Sequence, residues 1–531
     1  MRGFLSVATS CLAGAALLAF AAAPAVQAQA AQGKAEWATA QANPQRTGWQ
    51  KDADGINPSS VQHFKLLWTA KTGNEPYQLA GLVEPLIVNG ISTPSGTKDL
   101  AIVAGSASNV YAIDMANGQI VWQKHLVWSA KTPEVPKADA PRGFICENAL
   151  IDVPVVTPAG AGTRYVYVVG QDGYLHTLAV ATGAVHGAPV MVTPVAYPKV
   201  NGLQLLNNHI YTAQGQGCGD PGRNPNTVYD TNLVTGKTTE LPPQSGIWGD
   251  WGVSVGPRGD LFAETGDGPF DVAKQQFSTS VIKVDPAAMK VVNYYTPARH
   301  AWLTQRDLDM NFTPVIFPFN GQSYLVASGK EGRYYLVNTA TMGGGAQHET
   351  PEYETPLISN LNVNFQTEGS WGGAASWKDA NGTTWVLAPT GGPTNPAVHW
   401  SIVNGAAPSG GVIAMKLAER GGKAVLDPYW RSPDMVTSQT PVVAGGVVFA
   451  LGGGEFTGQA NDNGSGLFSA AQRVALSVPA VLFALDAQTG KELWHSGHEV
   501  TSFVHQGGVA VADGKAVFGA NDGTVYCYGL Q

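Results

Sequence analysis

Short apolar runs separated by polar turns recur along the chain at nearly regular intervals. In "NVYAIDMANGQIVWQ" (109–123) an apolar, β-branched and aromatic run stops at Asp114, turns through Gly118, and resumes until Trp122. "VLFALDAQTGKELWH" (481–495) repeats that outline, and such a strand, turn, strand pattern predicts a β-hairpin whose Gly supplies the positive φ of the turn. Weaker copies lie at 173–187, 227–241, 280–295, 333–344 and 411–430, giving seven hairpins. An eighth is split between the ends: "GTVYCYGL" (523–530) has a first strand without a partner, and "FKLLWTA" (64–70) is a partner without a first strand. Internal repeats at this spacing leave room for four strands each. They predict an all-β, eight-bladed β-propeller closed by pairing of its N- and C-terminal strands. Trp68, Trp122 and Trp494 then serve as packing between blades.

Composition narrows the class further. With 64 Gly and 34 Pro but only 13% charged residues, the chain is turn-rich and is neither a coiled coil nor a charged disordered tail. A net charge of -8 without a long basic run argues against a nucleic-acid partner. Residues 1–30 carry one Arg, an apolar centre and small-residue endings, so they read as an export signal, leaving residues 31–531 as a single propeller domain. No later stretch is apolar for long enough to span a membrane, which predicts a periplasmic or secreted protein. Three cysteines follow the signal. Cys146 and Cys218 are in loop-like contexts and are the candidate disulfide pair, while Cys527 reads as a buried filler in a strand. The absence of Cys-x-x-Cys-His means that no covalently attached haem c is encoded. Long insertions at 126–150, 212–227, 296–312 and 345–410 are expected to cover one face of the ring, where a propeller binds ligands.

One insertion contains "LTQRDLDMNFTPVIF" (303–317), with Asp307 and Asp309 one residue apart. If this stretch is a strand, alternation points both carboxylates the same way. Their target is open on this ground alone: water, a metal ion or a substrate proton.

The repeat "YAIDMANGQIVWQ", together with "EWATAQANPQRTGWQ" (36–50) and "INPSSVQHFKLLW" (56–68), resembles the pyrroloquinoline quinone (PQQ) repeat family of quinoprotein alcohol dehydrogenase-like propellers. The resemblance implies roles for particular residues. "QRDLDMNF" is similar to the family's base segment, with Asp307 as catalytic base, Asp309 as an additional metal ligand suited to a lanthanide, and Arg306 in place of a Trp. "AETGDGPFD" places Asp267 where the family has a metal-binding Asn. "GIWGDWG" resembles the segment whose indole lies under the quinone, with Trp248 the better candidate and Trp251 the alternative. Lys330 stands where the family offers a cation to the quinone oxygens. Trp371 is a candidate for the central funnel, with packing between blades as the alternative. The family's Glu ligand has no counterpart in "QGQGCGDPGRNPN", where Asp220 is nearest, and its vicinal cysteine pair is missing.

The resemblance implies PQQ and a calcium or lanthanide ion as cofactors. It also implies oxidation of an alcohol, sugar or polyol and a separate electron acceptor. A noncatalytic propeller binding envelope proteins as a scaffold is the competing expectation, because scaffold propellers carry the same hairpins.

Overall fold

The structure, a computed structural model, describes Met1 and residues 34–530 apart from 77–78, 107, 127–152, 161, 195–198, 216–226 and 461–465. Cys146, Cys218 and Asp220 fall outside the described residues.

Strands form in the predicted hairpins because each apolar run can bury one or both faces against its neighbours. Eight antiparallel sheets of four strands follow in chain order. Blades 1 to 4 span 86–125, 155–191, 200–240 and 254–295; blades 5 to 7 span 315–354, 375–431 and 442–495. Blade 8 takes three strands from 510–529 and its fourth from the other end of the chain: Lys65–Lys71 runs antiparallel to Thr524–Gly529, pairing Lys65 with Gly529 and Lys71 with Thr524. This closure is the one expected from the split repeat, and it pairs two strand edges that would otherwise be exposed. Cys527 is buried at this seam.

Neighbouring blades are joined by a repeated tryptophan dock. Trp68 of blade 8 donates its indole N–H to Met115 O of blade 1 at 3.0 Å, Trp122 of blade 1 to Val180 O of blade 2 at 2.8 Å, and Trp430 of blade 6 to Ala487 O of blade 7 at 3.1 Å. Each ring lies on a turn glycine: Gly118, Gly183 and Gly490 have positive φ, and a Cβ on any of them would lie within 2.8 Å of the indole. Trp494 makes a different inter-blade contact, edge-on to Phe64 and to Tyr528 at 6.0 and 5.3 Å between ring centres.

The N-terminal segment closes the centre of the ring. Residues 37–50 bond the innermost strand of all eight blades through Ile87, Val156, Leu203, Val255, Ile316, Ser376, Val443 and Val511, with distances of 2.7–3.1 Å. Within it, Trp37 and Gln41 converge on the buried Glu84, which also accepts the indole N–H of Trp251 at 2.6 Å. Among the described residues no helix is long and apolar enough to cross a membrane.

Candidate active site in the central cavity

The segment carrying the two aspartates is not a strand. A short helix, α1 (His300–Thr304), ends in a turn in which Leu308 N–H returns to Leu303 O at 3.1 Å. Asp307 sits in that turn with φ +53°, a left-handed conformation that Asp tolerates better than most residues. The next strand starts only at Phe312. Asp307 and Asp309 do converge, but turn geometry rather than strand alternation brings them together. The end of blade 5's second strand docks on the same turn: Lys330 N–H donates to Asp309 O at 3.0 Å, and at Gly329 a Cβ would lie 2.1 Å from that oxygen. Glu264, fully buried, accepts Phe312 N–H and Ser328 N–H at 2.9 and 3.2 Å, fixing both approaches to the site.

Lys330 Nζ lies 2.6 Å from Asp307 Oδ1 and 2.6 Å from Asp309 Oδ2. Asp267 N–H donates to Asp309 Oδ1 at 2.6 Å, and a carboxylate oxygen from each of the three aspartates lies within 4.8 Å of the others. Among the described residues this is the one such cluster. Burial, with Asp309 and Asp307 adding to it, pushes Asp267 up to about 8. Burial likewise raises Asp307 to about 7, against the pull of Lys330 and with help from Asp309. Asp309 goes the other way: burial opposes its charge, but Lys330 outweighs burial and holds it below the ordinary value. Lys330 in turn is lowered by burial and raised more by the two carboxylates. The cluster therefore has one firmly ionised carboxylate paired with the ammonium and two others whose protons are easily exchanged near neutrality.

Asp307, Asp309 and Lys330 line a cavity of about 480 Å³. Asp307 is 45% exposed there, whereas Asp309 is 2% exposed. Trp248 lines the cavity beside Asp309, with Gly266 leaving room for both: a Cβ there would lie 2.5 Å from Asp309 Oδ1 and 2.8 Å from Trp248 Nε1. Trp371 also lines the cavity, with Lys330 Nζ 5.3 Å from its ring centre. Trp251 is elsewhere, buried against Glu84 and the N-terminal segment. The structure thus brings together Asp267, Asp307, Asp309, Lys330, Trp248 and Trp371, and separates Trp251 from them.

Several polar atoms around this cluster are buried without a hydrogen-bond partner: Trp248 Nε1, Asp267 Oδ1, and both Asn311 Nδ2 and Oδ1. Buried polar groups are rarely left unpaired, so water or a ligand completes the bonding here. Three carboxylates with a free buried oxygen are the donor set of a hard cation such as calcium or a lanthanide. The indole, Asn311 and Lys330 suit a flat, oxygen-rich organic cofactor.

Sequence reasoning missed Asn311, Lys199, Asp250, Glu455, Arg473 and His505, all of which line the cavity. Lys199 Nζ lies 4.5 Å from the Trp248 ring centre. Asn311 follows Asp309 by two positions, a spacing that could have flagged it. Arg473 lies on α2 (Ala470–Leu476), which begins with a Ser469–Gln472 capping box readable in the sequence. Lys199 had no such signal.

No family model matches the chain, and no curated protein matches it. Among solved structures it is similar to a quinohemoprotein alcohol dehydrogenase from Comamonas testosteroni, with TM-score 0.56 and 14% identity over 93% of this chain and 80% of that one. It is also similar to a europium-containing methanol dehydrogenase, with TM-score 0.55 and 13% identity over 93% and 98% of the two chains. At these identities the likeness is one of fold, an eight-bladed β-propeller.

Proposed function

We propose that this protein is an exported quinoprotein oxidoreductase that binds PQQ beside Trp248 and a calcium or lanthanide ion at Asp267 and Asp309, with Asp307 as the base. The observation that carries the reading is the convergence of these carboxylates, Lys330 and Trp248 at one cavity, with unpaired buried polar atoms around them. Trp371 completes the wall, and Asp220 is an additional candidate ligand. When bound, the quinone supplies a two-electron acceptor and the cation a Lewis acid. The chain's own residues do the rest. Asp307, half exposed and raised toward neutrality, takes the hydroxyl proton of an alcohol, sugar or polyol at its carboxylate. Lys330 holds Asp307 in place and supplies positive charge at the cavity wall. Asp309 keeps Lys330 charged. The electrons pass to a separate acceptor, since the chain has no haem c attachment sequence. Residues 1–30 act as the export signal and 31–531 as the propeller domain of a periplasmic or secreted protein.

One observation favours a second reading, a noncatalytic envelope scaffold: Lys330 already bridges Asp307 and Asp309 as a cation would. Dye reduction by the protein reconstituted with PQQ and calcium or lanthanum separates the two. Alcohol-dependent dye reduction, with kcat falling about 10²-fold or more in Asp307→Asn, supports the oxidoreductase. Its absence with every alcohol and metal supports the scaffold.

A further inference from the structure

Another part of the cavity wall is built differently from the carboxylate cluster. The connection between the second and third strands of blade 7 carries α2 and lines the cavity with Glu455, Phe456, Phe468 and Arg473. From α2, Arg473 Nη2 donates to Glu455 Oε1 at 2.7 Å, and its Nε donates to Phe456 O at 3.0 Å. The other oxygen, Glu455 Oε2, lies 2.7 Å from His505 Nδ1. The side chains of Arg473, Glu455 and His505 are 10%, 4% and 10% exposed. Burial works against the charge of Glu455, but His505 and Arg473 outweigh it and hold the carboxyl below its ordinary value. An ionised carboxylate only accepts hydrogen bonds, so Nδ1–H faces Glu455, and in the neutral ring Nε2 is left as an acceptor. That Nε2 is buried without a partner, on a residue that lines the cavity.

We propose that His505, held by Glu455 and Arg473, accepts a hydroxyl of a neutral polyhydroxylated substrate and so selects polyols and sugars over simple alcohols. The assignment rests on the oxidoreductase reading for its place in turnover, although the binding itself does not depend on it. Charge decides the ligand class. Arg473 is committed to Glu455, and Lys199 lines the cavity with Asp250 as an acidic neighbour, so each cation of the wall faces an acidic group. Polar side chains at Thr437, Ser438 and Gln506 also line the cavity. Phe456 and Phe468, in T-shaped contact at 5.2 Å, offer an apolar surface for the C–H face of a sugar or the carbon chain of a polyol.

The test is calorimetric titration of the mature protein with sorbitol, without quinone or metal, on wild type, His505→Leu and His505→Gln. A lost hydrogen bond to a buried acceptor corresponds to about a tenfold change in Kd. His505→Leu is expected to weaken sorbitol binding about tenfold. His505→Gln, whose amide can donate to Glu455 and still present an oxygen to the cavity, retains most of it. If His505→Leu does not fold, as judged by circular dichroism, Phe468→Ala replaces it and is expected to weaken binding by a similar factor. Wild-type affinity in the folded Leu or Ala variant, or no sorbitol binding by wild type, overturns the assignment. Because neither quinone nor metal is present, this outcome is separate from failure of the oxidoreductase reading, which dye reduction with simple alcohols tests.

Discussion

At the scale of residues, the cavity is a set of carboxylates whose charge states are set by burial and by a few cations. Asp250 shows this away from the carboxylate cluster. Burial pushes it up to about 7, with Lys199 and His505 opposing and Glu455 and Glu84 adding to the rise. An Asp in the unfolded chain ionises near 4, so the folded state holds this proton to higher pH. Its stabilising contribution is therefore full below about pH 4 and is lost as the pH rises through about 7. Asp250→Asn is neutral throughout. Its Tm should gain on wild type between pH 5 and pH 8, whereas parallel Tm curves would remove Asp250 as the cause. Residue identity at the carboxylate cluster was legible from the sequence: Asp267, Asp307, Asp309, Lys330 and Trp248 do meet. Strand alternation does not account for the Asp-x-Asp pair, because the left-handed turn at Asp307 leaves no signature in an alternation pattern. Trp248 and Trp251 could not be separated by residue type, since only the fold shows which indole faces the cavity and which binds Glu84.

At the scale of elements, the hairpins were legible because strand, turn glycine and strand-end Trp recur together. The structure adds why they recur: the Trp of one blade lies on the turn glycine of the next. Gly490 has φ +68°, and a Cβ there would lie 2.3 Å from the Trp430 ring. Gly490→Ala thus combines backbone strain with overpacking and should cost about 2 kcal/mol or more, visible as a lower midpoint in urea unfolding. An unchanged midpoint would mean the dock yields more easily than its geometry implies. The polar wall at Glu455, Arg473 and His505 was illegible for a different reason. Glu455 and Arg473 lie eighteen positions apart on the connection between the second and third strands of blade 7 and His505 lies beyond that blade, with no common motif, and only the fold unites them.

At the scale of the whole molecule, the ring has two closures: the shared strands of blade 8 and the N-terminal segment that touches every blade. The first was readable from an unmatched half-repeat at each end. The second was not, because its bonds are largely made by backbone atoms and carry little sequence pattern. Arg46, 1% exposed, anchors this segment by donating to Leu203 O, Val253 O, Ala40 O and Thr39 Oγ1. Arg46→Met leaves buried acceptors unpaired, and differential scanning calorimetry should show a loss of about 2–4 kcal/mol; a loss below about 0.5 kcal/mol would show that the segment is not structural. Both closures support one cavity, and the central claim is that this cavity holds a quinone and a cation together. The most direct measurement is titration of the mature protein with PQQ, followed by tryptophan fluorescence with and without calcium or lanthanum, on wild type and Asp309→Ala. Saturable, cation-dependent quenching that Asp309→Ala weakens is the predicted result; no quenching with either ion would contradict the account.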